Sequence, residues 1–234
     1  MSGHIIHDRG DIAVQAAQSI ASMLDQAIST RGQATLMVSG GSSPKPLYEK
    51  LSHADIAWSK VTISLVDERW VDPGQAGSNE DFIRENLIKN KAAVAKFFGL
   101  KTRHETVETG LKAAENRFSA TARPFDVCVM GMGADAHTAS WFPNAKGLKH
   151  AFDLKNKNRL CYVDATGCSV AGEHTDRISL TLSSVLASHA VLLFIPGAQK
   201  RAVFEAAIHQ APKDAPVNTL LAAGNKLHVF ASSS

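Results

Sequence analysis

A chain of 234 residues, 44% apolar and 20% charged, is long enough to bury a full core and has ordinary globular usage. Its formal charge of +3 comes without a Lys/Arg run longer than two, and only two Tyr and three Trp are available for stacking, so nucleic-acid binding is not expected. No stretch approaches the roughly 18–20 apolar residues that span a bilayer, which excludes a membrane helix.

Taken in chain order, His4, His7, Asp8, Arg9 and Asp11 break up the N-terminus, so no secretory signal is expected. Ile12, Ala16, Ile20, Met23, Leu24, Ala27 and Ile28 recur at helical spacing and predict a helix over 11–28, stopped at Thr30-Arg31-Gly32. Residues 34–38 read as a buried strand. Residues 45–51 read as a helix, with Pro44 and Pro46 acceptable in its first turn. The next strand is expected over 61–66. Ser78-Asn79-Glu80-Asp81 has the capping-box pattern ahead of Phe82, Ile83 and Leu87, and Glu80 and Arg84 are spaced for an i,i+4 pair.

A helix over 110–122 and a strand over 125–130 follow, with Cys128 as a small core residue of that strand. With Cys161 and Cys168 the cysteines number three and show no metal-like spacing, which fits a reduced, cytoplasmic protein. The basic but interrupted segment 146–157 reads as a solvated loop or helix face. Short strands are expected over 159–163 and 177–180. In the second, Ile178 and Leu180 alternate with polar neighbours, which predicts one wet face. A strongly buried strand over 190–195, a helix over 199–209 and a last strand over 227–231 complete the order. Ser232-Ser233-Ser234 carries no targeting address.

No repeat, low-complexity tract or Pro/Gly linker divides the chain, so a single domain over 1–234 is expected. Strands alternating with helices predict an α/β fold, a mostly parallel sheet flanked by helices. Right-handed crossovers then bring the strand ends at Ser39, Asp67, Gly131 and Gly197 to one sheet edge.

Each end has a plain and a chemical reading. Ser39-Gly40-Gly41-Ser42-Ser43 is either a tight structural turn or an anion cradle at a helix start. Asp67-Glu68-Arg69-Trp70 is either a solvated turn with an internal ion pair or a site where Arg69 forks onto phosphate beside an acidic neighbour. Lys200 is either an exposed partner of Arg201 or a point charge for a phosphate. In Gly131-Met132-Gly133-Ala134-Asp135-Ala136-His137-Thr138-Ala139-Ser140, two glycines and three alanines crowd an Asp and a His. An imidazole titrates near neutrality and can take a proton from water and return it to a leaving oxygen. No second His or carboxylate stands at zinc-like spacing, so no metal is required, and the G-x-S-x-G elbow of a serine nucleophile is missing.

With these segments assembled, the chain resembles the 6-phosphogluconolactonases. The likeness runs through SGGSSP (39–44), DERWV (67–71), SNEDFIRENL (78–87), GMGADAHTASWFP (131–143), RISLTL (177–182) and PGAQKRAVF (196–204). It implies a modified Rossmann-like α/β fold shared with the glucosamine-6-phosphate deaminases, and cofactor- and metal-independent lactone hydrolysis. It implies His137 as general base with Asp135 near it, and Arg69 and Lys200 at the 6-phosphate. Gly40, Gly41 and Ser42 would support the ligand, and Asp67 and Arg177 would line the same mouth.

The chain departs from the family pattern at Ala136, where Gly is usual, at Trp141, where Leu is usual, and at 172–176, which lacks a proline pair. Ala136 would be strained by on the order of 1 kcal/mol if its φ is positive. Trp141 would reshape a pocket wall. The expected partner is a small sugar-phosphate lactone, handled by a monomer or weak homo-oligomer. The rival readings are a glucosamine-6-phosphate deaminase/isomerase, a non-catalytic sugar-phosphate sensor and, without a G-x-G-x-x-G after the first strand, least of all an NAD-dependent oxidoreductase.

Overall fold

Small and aliphatic residues on one side of the first helix begin the core. The computed structural model describes residues 5–118 and 121–232, so the readings on His4, Ser233 and Ser234 lie outside it, as do residues 119 and 120 of the helix expected over 110–122. After β1 (Ile5–His7), α1 (Ile12–Arg31) buries Ile12, Ala16, Ile20, Leu24 and Ala27. Asp11 caps it by accepting from the N–H groups of Ala13 and Val14, and Gly32 ends it in the left-handed region at φ 76°. The chain then runs through β2 (Ala34–Val38), α2 (Lys45–Leu51), β3 (Val61–Leu65), β4 (Asp67–Arg69), α3 (Asn79–Asn86), β5 (Lys96–Phe97), α4 (Val107–Arg117) and β6 (Val127–Met130). It continues with α5 (Leu148–Ala151), β7 (Leu160–Asp164), β8 (Asp176–Leu180), α6 (Leu182–Ala187), β9 (Ala190–Ile195), α7 (Ala198–Ala207) and β10 (Leu227–Ala231).

Seven strands form one parallel sheet in the order β1-β10-β9-β6-β2-β3-β5. β2, β6 and β9 are buried along their whole length, as the apolar runs require. α1 packs on β2, β6 and β10, while the 3₁₀ segment Pro216–Lys226 packs on β9 and β10. From β2 the chain adds β3 and β5 on one side, then returns to place β6, β9 and β10 on the other. The carboxyl ends of β2 and β6 therefore flank a topological switch point, where open α/β sheets leave a crevice.

A second sheet, β4-β8-β7, is antiparallel and corrects the reading of residues 67–69 as a solvated turn. β8 lies between two partners at its edges, and α4 and the 140–142 segment pack on it, so Arg177, Ile178, Ser179 and Leu180 are all buried and the expected wet face is absent. The alternation along β8 separates an apolar side from a side that faces polar partners instead of water. The helix expected over 110–122 begins earlier, at Val107, where Thr106 accepts from Thr109 N–H. Ser78 caps α3 through Asp81 N–H at 3.2 Å, but the Asp81 carboxylate turns away to Gly74 N–H, so the box closes on one side only. Glu80 and Arg84 form the expected pair at 2.8 Å. No described helix is long and apolar enough to cross a membrane.

Asp126, buried just before β6, stitches three elements. It accepts from Thr35 N–H at 2.7 Å and Thr35 Oγ1 at 3.0 Å, and pairs with Arg31 at the end of α1. Removing that carboxylate leaves a buried N–H without its partner. Asp126→Ala is expected to destabilise the fold by about 3 kcal/mol, seen as a lower urea midpoint at unchanged denaturant slope.

Candidate active site

β2 ends against a loop built for close approach. Tyr48 of α2 donates to Ser39 O at 2.7 Å and fixes the loop's first residue. A Cβ on Gly40 would stand 2.0 Å from Asn79 Oδ1, so only glycine lets the loop lie against α3. Among the described residues no acceptor takes the N–H groups of Gly40, Gly41, Ser42 or Ser43. Free amides at such a turn are the feature that attracts an anion.

Beside this loop, β4 carries two buried carboxylates. Asp67 accepts from Ser140 Oγ at 2.6 Å, and its backbone carbonyl accepts from Asn79 Nδ2 at 2.9 Å. Glu68, 1% exposed, makes no internal ion pair with Arg69. Its oxygens accept the backbone N–H groups of Arg69, Asn79 and Glu80, each at 2.8 Å, and so tie β4 to the start of α3. Burial pushes Glu68 up to about 7 against the pull of these three donors, which favour its ionised form. Arg69 NH1 donates to Gly77 O and its side chain reaches the cavity.

After β6 the chain makes a closed turn. Gly133 N–H donates to His137 O at 3.0 Å, Ala136 N–H to Gly133 O at 3.2 Å, and Thr138 Oγ1 to Gly131 O at 2.7 Å. Asp135 Oδ1 accepts both His137 N–H at 3.2 Å and His137 Nδ1 at 2.5 Å. With Nδ1 donating, Nε2 is the acceptor of the neutral ring, and no described side chain or carbonyl occupies it. Burial alone would raise the Asp135 carboxyl, but the hydrogen bond and charge of His137 outweigh it and hold it below its ordinary value. That contribution is present above about pH 4 and is lost as pH falls through the lowered folded value.

α7 supplies the fourth end. Lys200 Nζ donates to Ser43 Oγ at 2.7 Å and to Met132 O at 2.8 Å, bridging the β2 and β6 loops, and burial lowers its pKa. Arg177 on β8 is 3% exposed and donates through Nε to His174 O and through NH2 to Ala171 O, both at 2.6 Å. Burial pulls its guanidinium down to about 10, against the favourable charge of Asp67.

These groups line one cavity of about 260 Å³. Gly40, Gly41, Ser42, Asp67, Arg69, His137, Arg177 and Lys200 all face it, and Asp135 stands behind His137. The volume is below the roughly 300–1,000 Å³ of drug-sized pockets and suits one small metabolite. Three cations against Asp67 favour an anion. No described group of three His, Cys, Asp or Glu side chains is placed to hold a metal ion.

Sequence reasoning missed Asn79, Ala139, Phe142 and Val170, which also face the cavity. Asn79 was visible only as the residue after a helix cap, and nothing local showed that α3 would fold against Gly40. Trp141 is not a pocket wall: it is fully buried, donates to Leu180 O at 3.0 Å and meets Phe152 edge-on. Ala136 does take positive φ, 64°, the strained case.

Comparison with known proteins identifies the family and its fold. The model of the family described as glucosamine-6-phosphate isomerases/6-phosphogluconolactonase matches residues 7–229. The chain belongs to that family. It is 39% identical over 200 residues to a 6-phosphogluconolactonase of Rhizobium meliloti strain 1021, covering 86% of this chain and 84% of the relative. It also resembles the crystal structure of a 6-phosphogluconolactonase from Shewanella baltica, with TM-score 0.87, 38% identity and coverage of 98% and 96% of the two chains. A monomeric glucosamine-6-phosphate deaminase shares the fold at TM-score 0.75 and 15% identity, covering 98% of this chain and 96% of its own. The Rossmann-like sheet expected from the sequence is thus that of the family.

A Cβ on Gly133 would stand 2.2 Å from both Nδ1 and Cε1 of His137. Gly133→Ala is therefore expected to keep the fold, by circular dichroism, while moving the imidazole and lowering kcat by about 10².

Proposed function

We propose that this family member hydrolyses 6-phospho-D-glucono-1,5-lactone to 6-phospho-D-gluconate, the second step of the oxidative pentose phosphate pathway, as a single-domain cytoplasmic enzyme. The observation that carries the proposal is that the Asp135–His137 pair and the Lys200–Ser43 pole open into one cavity. Names and identities of the relatives point to the same substrate.

In this mechanism Lys200, Arg69 and the amides of residues 40–43 hold the 6-phosphate. Lys200 already donates to Ser43 and Met132, so phosphate oxygens would join or replace acceptors around an ammonium that is in place. Asp135 keeps the Nδ1 proton of His137 and orients the ring. Nε2 takes a proton from water as the water oxygen bonds to C1 of the lactone. The carbonyl electrons move to oxygen, and hydrogen-bond donors on the cavity wall would stabilise that oxyanion. Collapse breaks the C1–ring oxygen bond, and the imidazolium returns its proton to the departing oxygen. A lactone is an activated ester, so no covalent intermediate is required.

Turnover of freshly made lactone, followed by pH-stat, tests the proposal. His137→Ala is expected to lower kcat by about 10²–10⁴ in a folded protein; unchanged turnover would reject the base assignment. Ammonia release from glucosamine 6-phosphate without lactone hydrolysis would replace the proposal with the deaminase reading. Lys200→Met is expected to lower kcat/KM for the phosphorylated lactone by about 10–100-fold, the worth of one charged hydrogen bond, and to leave the slow hydrolysis of unphosphorylated glucono-1,5-lactone nearly unchanged. Equal losses on both substrates would place Lys200 away from the phosphate.

A further inference from the structure

Phe142 takes no part in the proton transfers above, yet it touches the base. Its ring centroid lies 4.4 Å from that of His137, with 36° between the planes. The guanidinium carbon of Arg177 lies 5.2 Å from the centroid of the same ring. Phe142 is 2% exposed and also faces the cavity. Both of its neighbours are held from elsewhere: His137 by Asp135, and Arg177 by the carbonyls of Ala171 and His174. The ring is thus packed between two anchored groups and has little freedom to tilt.

The charges around it matter as much as the packing. When His137 accepts a proton, two cations share one aromatic ring. The electron-rich face attracts each of them, and they repel each other. The titratable and charged groups around His137 are Asp135 on its own turn, Asp67 and Arg69 on β4, Arg177 on β8 and Lys200 on α7, with Cys168 beside Asp135. Arg177 is committed to two loop carbonyls, so it is poorly placed to swing onto a phosphate.

We infer that Phe142 is a positioning residue for the hydrolysis: it sets the tilt of the His137 imidazole, which Asp135 alone leaves free to rotate out of plane, and it couples protonation of that imidazole to the charge of Arg177. The inference rests on the lactonase reading. It makes Arg177 a part of the base's surroundings and not a phosphate ligand.

The two partners of the stack have effects of opposite sign. Loss of the aromatic face removes an attraction for the imidazolium, and loss of the Arg177 charge removes a repulsion. The test is the pH profile of kcat on fresh lactone for wild type, Phe142→Leu and Arg177→Met, whose acid limb reports the base in the enzyme–substrate complex. Phe142→Leu is expected to lower kcat about tenfold with KM within twofold, and to move the acid limb down by about half a pH unit. Arg177→Met is expected to move the limb up. Should Phe142→Leu fail to fold, Phe142→Met carries the same test: a lowered limb with reduced kcat supports the inference, and an unmoved or raised limb overturns it. A raised KM at unchanged kcat in either variant would also overturn the inference, making these residues a substrate wall. An active wild type with unmoved limbs defeats this inference only, whereas an inactive wild type defeats the lactonase reading as well.

Discussion

The parallel pairing of β2 with β6 is the constraint on which the site depends. It sets Val38 opposite Val129, so the two strands end side by side and release the 39–44 loop and the 131–137 turn into the same crevice. The strands on either side of this pair are added in opposite directions along the sheet, so no crossover covers the gap. β9 pairs with β6 in register, Leu193 against Met130, and brings the start of α7 to the same edge. Lys200 then closes the arrangement by binding one atom from each loop. The cation that lines the cavity is therefore also a fastening between the two halves of the sheet.

The antiparallel sheet adds buried charge beside the cavity. Asp67, Glu68 and Arg177 leave water almost completely, and each is compensated by named partners: the Ser140 hydroxyl, three backbone N–H groups, and two carbonyls. Burying a charge without such partners costs several kcal/mol, so this much satisfied polarity marks a region organised for more than stability. Its electrostatic result is a cavity with three cations and one anion on its walls. Metabolites with phosphate groups are drawn to such a field.

The His137 turn shows how the site tolerates strain. Ala136 and Ala139 both hold positive φ, a conformation that disfavours any Cβ, and Gly133 has no room for one because the imidazole occupies the place. Each of these features holds the ring where Asp135 can reach Nδ1. With glycine at position 136 the turn would be relaxed, but the buried Ala136 methyl would be lost from the core. The neighbouring Ala136 carbonyl accepts from Val217 N–H, which ties the turn to the 3₁₀ segment and supports its shape.

Local physics made much of this legible in the sequence. Helical spacing with a glycine stop marked α1, and apolar runs marked β2, β6 and β9, because a strand buried on both faces must be apolar along its length. Alternation of strand and helix implied a parallel sheet, and a parallel sheet implied that strand-end loops share an edge. The Gly-rich turn with Asp135 and His137 was identifiable because backbone crowding and a titratable ring coincide there. Other features depended on contacts between distant segments. Asn79 reaches the cavity only because α3 packs against Gly40, and Phe142 meets Arg177 only because β8 folds beneath the turn. The wet face expected for residues 177–180 became a buried polar one because the 140–142 segment packs over Arg177 and Ser179, a matter of long-range packing and not of composition. Sequence by itself determined which residue types stand at the strand ends, since side-chain type and local spacing are written in it; tertiary structure alone decided which of them face one another, because long-range packing sets distance and desolvation.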